Sequence, residues 1–377
     1  MKFRSFFWTL LIGAITLFLV VVASLGWIVT QSSINLLKGG VNTFPQAAIF
    51  LPKQAPAMLS LLTNPEKLNA LRQVSLPLPH RQSDRREWQQ WETDLLQPIG
   101  FDYQRDLKPW LGDELTLAIT SLDYDRNPNN GAQPGYLLAA ATKNTQLAQK
   151  TLGNFLSEQT NLNLELYKGV NIVSQSVSKL AKDPSIWASA VVGDFVLFAN
   201  QPQILKQAVN QAQAVNLNLE QADSYQTALS YIKRPHVGVA YIDISGISAW
   251  LDKSATSTKP NRENILSLSL AINSSGLTAE TALIGGNKAE ITSQLPKAWL
   301  NNPELQQIFN YLNFNQNHST YIDLTARTSL SDTQIPIYKV SKLALQSLFP
   351  HLQAIAIKNE SNHDDVKRVK IKLKLDV

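Results

Sequence analysis

Hydrophobic and polar positions divide the chain into one long apolar run and a body of short, mostly alternating segments. Residues 5–37 carry no charge, and the apolar stretch from Phe6 to Val29 is 24 residues long. As a helix rising about 1.5 Å per residue it spans roughly 36 Å, enough to cross a bilayer core. Thr9, Thr16 and Ser24 are its only hydroxyls, and Trp8 and Trp27 lie near its ends, where amphipathic rings favour the membrane interface. The run predicts an uncleaved anchor over residues 1–30. Lys2 and Arg4 then stay in the cytoplasm and the body lies outside it, in a periplasm or a thylakoid lumen. Two alternatives stand beside this. One is a cleaved secretory signal with Val21-Val22-Ala23 before Ser24, although such cores usually run about 7–15 residues. The other is a soluble core helix.

After a polar linker over residues 31–45, the body begins with Ala47-Ala48-Ile49-Phe50-Leu51, which predicts a strand, and residues 55–62, which predict a helix. Val239-Ala240-Tyr241-Ile242-Asp243-Ile244-Ser245 predicts a second strand leading into a helix at 247–251. Ser319-Thr320-Tyr321-Ile322-Asp323-Leu324-Thr325 repeats it nearly residue for residue. A hairpin-like pair follows each: 114–121 with 136–142, 265–272 with 277–284, and 354–358 with 366–375, the last joined through 359–365. The pattern predicts three strand–helix–hairpin units, the first carrying an insertion over about 143–235.

Within that insertion, residues 143–158 show a helical apolar face, 167–174 and 188–199 read as strands with a tight turn at Gly193-Asp194, and 202–215 read as a helix. Pro202 suits its first turn and Asn200 its cap. Hairpins outnumber strand–helix–strand crossovers. The fold class is therefore α+β: a transmembrane helix, then mostly antiparallel sheets with helices on one face. The body is one extracytoplasmic domain over residues 46–377, with sub-units at 46–235, 236–315 and 316–377.

Charge changes the picture only at the start of the chain. The formal net charge is +5, but residues 1–38 hold Lys2, Arg4 and Lys38 and no acid, leaving 31 basic and 29 acidic side chains in the rest. A duplex binder needs a concentrated basic face, so nucleic acid is not an expected partner. Polarity comes instead from 28 Asn and 28 Gln. With no cysteine, disulfides, thiolate metal sites and cysteine nucleophiles are excluded.

Each candidate for chemistry meets a plainer reading. Asp123, Asp125, Asn127 and Asn129 alternate as in a calcium loop, but Pro128 and Pro134 stand where an EF-hand needs glycine and a bidentate acid, so the stretch reads as a turn. Ser176-Val-Ser-Lys179 matches S-x-x-K without the S-D-N and K-T-G elements that chemistry requires. His363-Asp364-Asp365, with His80, His236, His318 and His351 elsewhere, lacks the spacing that puts two imidazoles on one face, and residues 359–365 read as a solvated hairpin tip. Asp243 and Asp323 would form an acid/base pair if their units faced one another; in an alternating strand each simply lies opposite an isoleucine. Lys370, Lys372 and Lys374 alternate with apolar residues, as lysines blunting a sheet edge or, alternatively, as a face toward anionic lipid. Trp88, Trp91 and Leu95 beside Arg81, Arg85 and Arg86 read as a helix docked on the sheet, with a partner surface as the alternative. No G-x-S-x-G, G-x-G-x-x-G or G-x-x-x-x-G-K-[ST] occurs. No catalytic, cofactor-binding or metal-binding residue is assigned, and no cofactor is expected.

Three stretches carry a resemblance: Pro45-Gln46-Ala47-Ala48-Ile49-Phe50-Leu51-Pro52, Pro109-Trp110-Leu111-Gly112-Asp113-Glu114, and Val192-Gly193-Asp194-Phe195-Val196-Leu197-Phe198-Ala199-Asn200. Together they resemble a cyanobacterial envelope family, DUF3352, over most of residues 45–345. The resemblance implies a membrane-anchored extracytoplasmic protein and lends no reaction, cofactor or catalytic residue. The expected function is a non-catalytic binding or scaffold module, tethered to the membrane through its N-terminal helix near a protein or lipid partner. A carrier of lipid or another apolar ligand is the alternative, and an enzyme using paired carboxylates the second.

Overall fold

The computed structural model describes residues 40–64, 86, 102–127, 133–157, 162–175, 188–243, 265–273, 276–285, 319–323, 352–363 and 366–375. The apolar run at 6–29, the S-x-x-K stretch and the Trp88–Trp91 segment lie outside them. Among the described residues, no helix is long and apolar enough to cross a membrane. The chain divides into two compact units, one over Thr43–Gln226 and one over Thr227–Val377, to which residues 40–42 also belong.

The first unit opens with a 3-10 turn, Gln46–Phe50, where the apolar run predicted a strand. Pro45 fixes its start, and Ala47, Ala48 and Phe50 are all buried, which a one-sided strand does not achieve. The predicted helix at 55–62 is instead strand β1, Ala57–Leu61. Its neighbour is β2, Leu111–Ser121, in an antiparallel register that sets Met58 opposite Ala118 and Ser60 opposite Thr116. Tertiary pairing overrides local propensity here. β3 is Gly135–Thr142, followed by helix α1, Thr145–Ser157, close to its predicted span. The Asn144 side chain accepts the Leu147 N–H at 2.9 Å and so caps that helix.

The strand predicted at 167–174 is a hairpin, β4 (Leu162–Tyr167) and β5 (Val170–Gln175). Lys168 and Gly169 form its turn with φ of +48° and +82°, the twist a two-residue connection requires. β6 (Ala188–Val192) and β7 (Phe195–Ala199) turn at Gly193-Asp194 as expected. Helix α2 (Pro202–Gln213) has Gln201, not Asn200, at its N-cap position. The Asn200 side chain is spent on strand β3, accepting the Tyr136 N–H at 2.7 Å and donating to the Pro134 carbonyl at 2.9 Å. Helix α3, Asp223–Ser230, follows.

The seven strands of this unit lie in the order β1-β2-β3-β7-β6-β5-β4, every pair antiparallel. Residues opposite one another share a face. One face is built from small side chains such as Ser60, Thr116, Ala139 and Ala190, all buried. Against it lie α2, through buried Ile204, Leu205, Ala208 and Val209, and the 3-10 turn. The closeness of this approach shows at Gly135, where a methyl group would run into Ile204 Cδ1 and come within 2.6 Å of Thr120 Oγ1. Gly135→Ala is expected to lower stability by about 1–3 kcal/mol through overpacking, read from the denaturation midpoint.

Helices are not confined to one face. Ala148 and Leu152 of α1 join Trp110, Leu111, Ala140 and Val196 in a second cluster. Ala140 and Val196 belong to the face opposite α2, so the sheet is covered from both sides in part. Strands apolar on both faces make that arrangement favourable.

The second unit holds β8 (Gly238–Asp243), β9 (Ile265–Asn273), β10 (Gly276–Ile284), β11 (Ser319–Asp323), β12 (Leu352–His363) and β13 (Val366–Leu375). Their order is β11-β12-β13-β10-β9-β8, again antiparallel throughout. Two sequence expectations change. β12 runs on to His363, with Asn359 opposite Val369 and His363 opposite Val366 across a register shift, so most of the expected solvated tip is strand. β13, with its alternating lysines, is not an edge: β10 pairs with one side and β12 with the other. Alternation identifies a strand but carries no information about its neighbours.

Candidate functional site

The three stretches that carried the resemblance meet in the first unit. Glu114, only 8% exposed, accepts the N–H groups of Gln46 and Ala47, each at 2.9 Å, at the start of the 3-10 turn. The Thr116 hydroxyl donates to the same carboxylate at 3.1 Å and lies 2.7 Å from the Ser60 hydroxyl. Burial pushes the Glu114 carboxyl above the ordinary glutamate range, against the lowering effect of the N–H groups and of Thr116. Phe50 of the turn meets Phe195 edge to face, with centroids 5.2 Å apart.

The second stretch is held from behind by a π-helical turn, Tyr103–Leu107. Asp102 accepts the Arg105 N–H, Asp106 accepts the Asp102 N–H, and the Trp110 indole donates to the Asp106 carbonyl. The Arg105 side chain, bonded to Asp106 at 2.7 and 2.8 Å, is the main cause that holds the Asp106 carboxyl below the ordinary aspartate range. Asp102, Asp106, Arg105 and the Trp110 indole thus spend these hydrogen bonds on holding the turn. This arrangement secures a buried turn.

The sequence-predicted chemistry is dispersed. Asp243 stands on β8 and Asp323 on β11, five strand-to-strand steps apart in the second unit. At about 4.8 Å per step that is roughly 24 Å, too far for an acid/base pair. Asp123 Oδ1 accepts the Gln133 N–H and Asp125 Oδ1 the Asn127 N–H, so both acids of the supposed calcium loop shape turns. Residues 128–132 of that loop lie outside the described residues. His236 is fully buried, with Nδ1 3.1 Å from the Lys233 carbonyl. His80, His318, His351, Asp364 and Asp365 lie outside the described residues. Among the described residues, no three His, Asp or Glu side chains converge as a metal site would require.

What the sequence reading missed is a row of side chains across the first sheet. Leu59, Leu117, Leu138, Phe198, Ser189, Val173 and Leu164 are successive partners over all seven strands. The row runs about 29 Å at roughly 4.8 Å per strand. Apart from buried Ser189 and exposed Leu164, its members are half-buried. The alternation in Glu114-Leu115-Thr116-Leu117-Ala118 and in Asn163-Leu164-Glu165-Leu166 was the available signal.

Fold and site together define an antiparallel-sheet protein whose short motifs fasten a buried turn. Residues 10–312 match the family described as "Protein of unknown function (DUF3352)", and the chain belongs to that family. No curated protein matches it. Among solved structures, crystal form I of TP0453 is similar at 7% identity and a TM-score of 0.36, over 88% of this chain and 93% of that one. Crystal form III of TP0453 is similar at 8% identity and the same TM-score, over 88% and 94%.

Proposed function

We propose that the chain is a membrane-anchored, extracytoplasmic binding module that acts without catalysis, holding a partner on the part of its first sheet's face opposite α2 that α1 leaves open. The observation that carries this reading is the seven-strand row from Leu59 to Leu164, apolar except at buried Ser189, with Phe198 packed against the α1 cluster, Leu59, Leu117, Leu138 and Val173 half-buried and Leu164 exposed. Apolar side chains left partly open to solvent in a group are characteristic of interaction sites. The uncharged run from Phe6 to Val29 supports the anchor, and tethering raises the concentration of the module near anything else in the same membrane. The alternative occupant of the same face is an acyl chain, which would make the protein a lipid carrier.

Native mass spectrometry of the full-length chain, gently extracted from its own membrane, tests the proposal. A co-purifying protein that is lost from a Leu117→Gln, Leu138→Gln variant with an unchanged circular dichroism spectrum is the expected result. A reproducible lipid-sized adduct lost from the same variant would transfer the proposal to the carrier. A wild-type chain that carries neither protein nor lipid would overturn both.

A further inference from the structure

The edge strand of the first sheet has a geometry of its own, although it shares Leu164 with the row above. β4 pairs with β5 on one side, and among the described residues no strand pairs with its other side. The two-residue turn at Lys168-Gly169 closes on the Tyr167–Val170 pair. That closing pair exchanges both of its hydrogen bonds, and the pattern alternates along the ladder. Asn163, Glu165 and Tyr167 therefore spend their backbone groups on β5, while Leu162, Leu164 and Leu166 direct theirs away from it. The same alternation sorts the side chains. Glu165 bridges Lys206 of α2 at 2.7 Å, and the Tyr167 hydroxyl bonds Asn210. Leu164 and Leu166, on the opposite face, are 68% and 71% exposed. Backbone groups that turn away from β5 and exposed leucines thus occur together at Leu164 and Leu166. Such an edge is ordinarily blunted by charge, proline or a bulge.

We propose that β4 pairs with β4 of a second copy of this chain, antiparallel about a two-fold axis through Leu164. An identical strand is self-complementary in that arrangement. Residues with outward backbone groups must face one another, and this register sets Leu164 against Leu164 of the partner subunit and Leu162 against Leu166 of the partner subunit. It also sets Glu165 against Asn163 of the partner subunit, an amide that can donate to the carboxylate. The register centred on Glu165 would place two carboxylates in direct opposition, which is unfavourable. The register centred on Leu166 would bring Leu164 against the Lys168 turn.

The chain contains no cysteine, so single introduced thiols report the contact without background. In the full-length chain in mild detergent, Leu164→Cys is expected to form a disulfide-linked dimer under gentle oxidation, and Glu165→Cys to form little, since only the former lies opposite itself. Light scattering should give twice the chain mass for the wild type and one chain mass for Leu164→Lys, Leu166→Lys. Equal crosslinking at both positions, crosslinking at neither, or a dimer that survives the two lysines would overturn the proposal.

Discussion

Replacing Trp110 by alanine is expected to destabilise the first unit by about 3–5 kcal/mol, in the range found for buried aromatic truncations. Trp110 is 1% exposed and among the largest fully buried side chains of the described residues. It packs with Tyr103, Leu111, Ala140, Ala148, Leu152 and Val196, which belong to five different elements, so no single movement closes the space its indole would leave. The indole N–H also satisfies the Asp106 carbonyl. The Trp110 carbonyl meanwhile accepts the Lys143 N–H at 2.8 Å and the Thr142 hydroxyl at 3.0 Å, so its backbone position is fixed from the other side. Trp110→Phe should restore about half of the loss, because it refills the cavity and leaves the carbonyl without its donor. Urea denaturation of both variants measures the difference, and equal midpoints for alanine and wild type would contradict the packing account.

Glu114 is the second large effect. Truncation to alanine orphans the Gln46 and Ala47 N–H groups and removes the acceptor for Thr116, at an expected cost of about 2–5 kcal/mol. Glutamine is no substitute, since its one carbonyl oxygen accepts from one N–H while its amide confronts the other; the expected cost is about 1–3 kcal/mol. The pH dependence has a definite sign. Because burial raises the folded-state pKa above the ordinary 4.5, the folded protein holds this proton more tightly than the unfolded chain. The contribution of the group is then complete below about 4.5 and declines as pH rises through the raised value. Stability of the wild type relative to Glu114→Gln should therefore be greatest in acid and shrink toward neutrality. A difference that grows with pH would show the carboxylate to be stabilised in its charged form.

Local pattern and long-range partnership differ in how far a sequence reveals them. The hairpin at Gly193-Asp194 and helix α1 were legible because alternation and a 3.6-residue period are written within a dozen residues. Residues 47–51 were not, because an unbroken apolar run suits a buried strand and a buried turn alike. What decides is Glu114, 67 residues from Ala47 and 68 from Gln46. The likeness of the two Tyr-Ile-Asp strands is visible in the sequence, and β8 and β11 do hold the same place, each leading a three-stranded meander. Their separation across the sheet is not visible, and it removes Asp243 and Asp323 as a pair. Strand alternation marked residues 366–375 as β but could not say that both flanks are occupied.

That last position has a consequence for the order in which the second unit can assemble. β13 lies between β10 and β12, yet it follows both in the chain. During synthesis β8, β9 and β10 can zip together as they emerge, whereas β11 and β12 have nothing to join them to β10 until residues 366–375 arrive. The strand translated last of the thirteen described is the keystone of this sheet, and the open flank of β10 stays exposed to mispairing until it is set.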